Sequence, residues 1–102
     1  MKPSDRIEAP GQLASHYAPS KPLRLNAATA CDGEYLIGFG PIKGDANLSP
    51  GSDLVEAASR LFDLLYQADE SPMPRIAIAA IPAEGLGTAI NDRLRRAATS
   101  RD

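Results

Sequence analysis

The spacing of apolar residues changes character four times along this 102-residue chain. From Met1 to Pro22 there is no apolar period at all. Pro3, Pro10, Pro19 and Pro22 each remove a backbone donor and bias the preceding residue toward extended geometry, so no helix of ordinary length fits. This stretch reads as an extended arm. Leu23 to Asn26 (LRLN) and Glu34 to Phe39 (EYLIGF) then read as short strands. The small, polar AATACDG between them, with Asp32-Gly33 as its turn signal, suits a hairpin better than a helical crossover.

A Gly- and Pro-rich loop follows Phe39, and helical spacing begins after it. Leu54, Val55, Ala58, Leu61, Phe62, Leu65 and Tyr66 fall on one stripe, with Glu56, Arg60, Asp63 and Gln67 opposite. Ser52 or Asp53 is the expected N-cap, and Asp53 with Glu56 has capping-box spacing. Pro72 and Pro74 end this helix. Arg75 to Ile81 (RIAIAAI) reads as a strand buried on both faces, which belongs in a parallel pair. Strand, helix and strand predict a right-handed βαβ unit and an α/β fold. A loop, PAEGLG, leads to a second helix over about Thr88 to Ala98. Leu86, Ile90, Leu94 and Ala97 are expected to face the sheet, with Arg93, Arg95 and Arg96 toward the C-terminal end, where cations complement the helix dipole.

Composition narrows the functional classes. The first 22 residues hold four of the nine prolines, leaving about 80 residues for a single small core. The expected division is an arm at residues 1–20 and an α/β domain at 21–102. A net charge of −2 gives no general attraction to nucleic-acid backbones or anionic membranes. No apolar run is long enough to span a bilayer and MKPSDRIEAPGQL has no signal-peptide core, so a cytoplasmic location is expected. Cys31 and His16 are the lone representatives of their types, which excludes an internal disulfide and a Cys- or His-rich metal cluster.

Few motifs carry chemistry. The strand–PAEGLG–helix junction places Gly85, Gly87, Thr88 and Asn91 where a phosphate or small ligand could meet a helix N-terminus. Against this, the dinucleotide fingerprint wants a small residue at the position of Ile90, so a structural turn is the plainer reading. Gly38, Gly40, Lys43 and Gly44 fail the P-loop pattern and read as scaffolding. Asp53, Glu56, Asp63, Asp69 and Glu70 read as a cap and a solvated face, and Cys31 has no neighbouring base in sequence. The arm is the unusual feature. A Pro10-Gly11 turn followed by Ser15-His16-Tyr17-Ala18-Pro19 has more chemistry than a passive tether requires.

These residues resemble a known family. Ala9 to Pro19 (APGQLASHYAP) is similar to the interdomain linker motif of two-domain L-threonylcarbamoyladenylate synthases (the Sua-five type), usually S/A-P-G-M-x-x-x-H-Y-A-P. Asn47-Leu48-Ser49, the segment from Asp53 to Phe62 and the segment from Gly85 to Leu94 resemble the C-terminal domain of the same family, in the same order. The resemblance implies a small Rossmann-like α/β domain with about three strands and two helices. It also implies a parent protein whose YrdC-like catalytic domain precedes the linker. That domain would convert threonine, bicarbonate and ATP, with Mg2+, into threonylcarbamoyl-AMP for tRNA modification. By this resemblance the chain itself is a non-catalytic accessory fragment with no cofactor, metal site or direct nucleic-acid contact. Pro10, Gly11, His16, Tyr17 and Pro19 become residues of a linker lying over the parent's active site.

Departures from the family pattern accompany these matches. Gln12 replaces the usual Met, Ser15 stands where many members have a base, and the first link is too short for the helix that longer members carry there. Two other functions stay open at this point: an independent nucleotide or small-ligand module at the PAEGLG turn, and an interaction module for a second copy or for tRNA-modification proteins.

Overall fold

A computed structural model describes residues 19–99. In chain order the elements are β1 (Leu23–Ala27), β2 (Glu34–Phe39), β3 (Ile42–Gly44), β4 (Ala46–Asn47), α1 (Leu54–Glu70), β5 (Arg75–Ala79) and α2 (Leu86–Thr99). They form one mixed sheet in the order β1-β5-β2-β3, with β4 also on β2. β5 is parallel to β1 on one side and to β2 on the other, so β2, α1 and β5 make the expected βαβ unit.

The expected hairpin between the first two strands does not form. β1 and β2 run parallel with β5 inserted between them. The reason is burial: the apolar run Ile76 to Ala79 is buried throughout, so it belongs in the middle of the sheet with a partner on each edge. The link at 28–33 has only to step across one intervening strand, roughly 10 Å, and back to the start of β2. Six residues reach that far without a helix.

Both helices lie on one face. Alternate strand residues Leu23, Ile37, Phe39, Ile76 and Ile78 pack there against Leu61, Leu65, Ile90 and Leu94 in a single core. α1 meets the sheet through Ala57, Leu61, Leu64, Leu65 and Ala68. The stripe is therefore rotated from the one the spacing predicts, leaving Val55 and Tyr66 exposed at the surface. Leu86 is likewise exposed, because it opens α2 at the rim, so that of the four residues expected to face the sheet Ile90, Leu94 and Ala97 are the buried ones. Asp53 is the N-cap, accepting from the backbone N–H of Val55 at 2.9 Å and of Glu56 at 3.4 Å.

The opposite face has no helix among the described residues. Ala27, Leu36 and Ala77 form a second, small cluster there, with Ile42 packed on it. Ile42 arrives because the loop after β2, expected to be irregular, forms two short strands. The chain turns at Gly40 and Pro41, pairs Ile42 with Phe39 as β3, and then runs beside Ile37 and Gly38 as β4. Asn47 holds the fold-back by donating to the carbonyls of Gly40 and Ile42 at 3.2 and 3.1 Å. Buried Ser49 accepts the N–H of Asp53 on its hydroxyl at 2.8 Å, joining the loop to the helix cap.

Gly38 is the tightest point of this layer: a methyl group there would fall on the backbone carbonyls of Ile42 and Lys43. Gly38→Ala should lower the unfolding free energy by about 1–3 kcal/mol, the usual range for forced overpacking. Gly51→Ala, with nothing near the added carbon, should stay within about 0.5 kcal/mol of wild type. Urea denaturation of the two variants beside wild type checks the contrast.

Candidate functional site

Among the described residues, the polar groups that bear on function lie at the point where the arm enters, at the PAEGLG turn, and in the link between β1 and β2. At the entry, Pro19 is fully buried. Ser20 donates both its backbone N–H and its hydroxyl to Asp69 Oδ1, at 3.1 and 3.0 Å. Lys21 Nζ donates to the carbonyls of Ala68 and Ser71, at 3.1 and 2.6 Å. The Pro22 carbonyl accepts the N–H of Ile76 at 3.0 Å, which carries the arm directly into β1. The arm therefore joins the domain where the parallel strands begin, beside the end of α1. Of the proposed linker residues, Pro19 sits in this anchorage; Pro10, Gly11, His16 and Tyr17 lie outside the described residues.

The PAEGLG turn follows the other end of β5, so the length of that strand separates it from the arm. Gly85 adopts φ +55°, a left-handed conformation that few other residues tolerate. The N–H of Gly87 donates to the Glu84 carbonyl at 2.9 Å and that of Thr88 to the Gly85 carbonyl at 3.1 Å. Asn91 Nδ2 donates to the Ile81 carbonyl at 2.9 Å and ties the helix back to the strand end. A methyl group on Gly87 would fall on the Pro82 carbonyl, so this glycine is where α2 passes closest to the outgoing chain. The four residues are brought together; both amides named here already have backbone acceptors, and the Thr88 side chain faces solvent.

Other candidate residues are dispersed. Arg93 lies over the Phe62 ring at 5.6 Å, and Asp92 pairs with Arg95 and Arg96 at 3.8 and 3.2 Å on the exposed side of α2. Cys31 is a free, exposed thiol. Among the described residues no three His, Cys, Asp or Glu side chains are grouped to hold a metal ion.

The third place was not visible in the sequence. Arg24 on β1 grips Glu34 at the start of β2 with two bonds, Nε to Oε2 at 2.9 Å and Nη2 to Oε1 at 2.8 Å. Arg24 Nη2 also donates to the Thr29 carbonyl at 2.9 Å, and Glu34 Oε1 accepts the Cys31 N–H at 2.7 Å. A planar guanidinium matches a carboxylate in this two-point geometry better than an ammonium can. The pair crosses β5 diagonally on the face without helices, passing the small Ala77, and pins the 28–33 link to the sheet. Arg75 adds a bond from its guanidinium to the Asp32 carbonyl. The signal that could have revealed the pair is Glu34 itself, a carboxylate on the same strand face as buried Leu36, facing an arginine one strand beyond its neighbour.

The Arg24 hydrogen bonds hold the Glu34 carboxyl well down, at about 2, against the opposing effect of burial. The same bond holds the Arg24 guanidinium above its ordinary value.

A mixed, mainly parallel sheet with both described helices on one face and a βαβ unit at its centre defines a small Rossmann-like α/β domain. The chain belongs to the family described as threonylcarbamoyl-AMP synthase, C-terminal domain, which matches residues 2–99. Its fold is similar to that of P. abyssi Sua5, solved in complex with L-threonine, with a TM-score of 0.63 and 26% sequence identity. The similarity covers 98% of this chain and 34% of that one, so the chain spans about a third of the length of its structural relative. No curated protein matches the sequence. Among the described residues no helix is long and apolar enough to cross a membrane.

The Arg24–Glu34 pair has a definite pH signature. Because the folded carboxyl is depressed, its contribution is complete above the ordinary value of 4.5 and is lost as pH falls toward about 2. Wild type should therefore lose stability over that window more steeply than Glu34→Gln. Denaturation midpoints measured from neutral pH down to about 2 test this, and equal slopes would remove the pair as a source of acid sensitivity.

Proposed function

We propose that this chain acts as an accessory module of a threonylcarbamoyl-AMP synthase, in which the arm covers the pocket of a YrdC-like catalytic domain and the α/β domain holds the arm's far end. The observation that carries the proposal is the anchorage of residues 19–22: Pro19 buried, Ser20 on Asp69 and Lys21 on the end of α1. A cover works only if one end is fixed while the other moves, and the anchorage supplies the fixed end. Family membership supports the parent activity, and the L-threonine in P. abyssi Sua5 supports threonine as a substrate of the whole protein.

In this reading His16 and Tyr17 reach the pocket, and Pro10-Gly11 sets the turn that brings them there. Their task is to exclude water from a carbamoyl intermediate or mixed anhydride that hydrolysis would destroy. ATP, bicarbonate and Mg2+ belong to the catalytic domain, where the ion neutralises phosphate charge. The chain alone is then a module without synthase activity, working in the cytoplasm beside its substrates.

Replacing His16 and Tyr17 together by Ala in the two-domain protein should lower the threonylcarbamoyl-AMP formed per ATP consumed, because water then reaches the intermediate that the cover protects. Rapid-quench measurement of product against ATP consumed decides it. An unchanged ratio would rule out the covering role.

A further inference from the structure

α1 ends in a way that an isolated helix would not tolerate well. Its final residues, Gln67 to Glu70, include two acids and no base, at the end where the peptide dipoles already concentrate negative charge. The last carbonyls also need donors. Ser71 supplies two to the Ala68 oxygen, from its N–H at 3.2 Å and its hydroxyl at 2.7 Å. The remaining compensation shown comes from far away in sequence: Lys21 Nζ bonds the Ala68 and Ser71 carbonyls, and Ser20 occupies Asp69 Oδ1.

We infer that residues Ser20 and Lys21 and the last turn of α1 form a latch, two elements that are each fully ordered only when the other is in place. The ammonium of Lys21 is the cation the helix end lacks. The carbonyls and Asp69 are the acceptors that hold the arm. Linkage makes the effect reciprocal, so whatever factor the docked arm contributes to closing the last turn, the closed turn contributes to docking the arm. Ala68 sits in that turn and is completely buried against the core, which connects the latch to the sheet beneath. A pull on the arm is thereby registered as fraying of α1. This inference holds whether or not the arm covers a catalytic pocket, since every group in it belongs to the described domain.

Native-state amide exchange on the full chain tests it. Lys21→Met keeps the aliphatic stem and removes the charge. Exchange at Asp69, Glu70 and Ser71 should quicken about two- to fivefold, the range expected for losing one favourable helix-end charge, while Ile37 and Ile78 stay as in wild type. Adding Glu70→Lys to that variant puts a base back in the last turn and should restore slow exchange there. The latch is overturned if Lys21→Met leaves the last turn unchanged, if it quickens every amide alike, or if Glu70→Lys fails to restore protection.

Discussion

The domain depends on closing the face of its sheet that carries no helix among the described residues. A parallel sheet ordinarily carries helices on both sides. Here six residues and a short fold-back stand in for one side, and they have little apolar surface with which to hold themselves down. The Arg24–Glu34 pair solves the first half of that problem. It reaches across β5, and from there its spare donor and acceptor capacity fixes Thr29 and Cys31. Gly38 and Ala77 solve the second half by being small. One admits the backbone of β3 and the other leaves a clear path for the ion pair. Ion pair, glycine and alanine together form a thin layer, with polar bonds and close approach in place of bulk.

The longer elements were legible because they obey a single period. α1 announces itself through its apolar spacing, its Asp53 cap and the prolines beyond it. β5 does so through an unbroken apolar run. Local sequence hides the relation of β1 to β2: whether a short link makes a hairpin or a crossover depends on which strand comes between, and that strand, β5, begins 42 residues after the link ends at Gly33. The rotation of α1 has a similar origin. Val55 and Tyr66 are apolar by type, yet the buried face runs past Leu64 through Ala57 and Ala68, two alanines that a reading by hydrophobicity alone ranks below the larger side chains.

The arm's motif is legible in the sequence, and its anchorage on the domain is not. His16 and Tyr17 stand out as a pattern, whereas nothing about Ser20 and Lys21 distinguishes them from a solvated tether. Their meaning depends on the end of α1, where Asp69 and Glu70 look like ordinary surface acids until Lys21 is placed beside them. The PAEGLG turn shows the reverse case. Its glycines suggest a ligand when read in one dimension, and the structure gives Gly87 a packing task at the Pro82 carbonyl.

The central position of β5 also has a consequence for how the chain comes to be folded. β1 and β2 are not neighbours in the backbone hydrogen-bond ladder, so until β5 is made the described residues before Arg75 offer the sheet only two edges and no middle. The small pairings of β3 and β4 on β2 can form early, but the core joining both helices cannot. Assembly waits for Arg75–Ala79, whose insertion between two strands made long before it turns separate pieces into one cooperative unit.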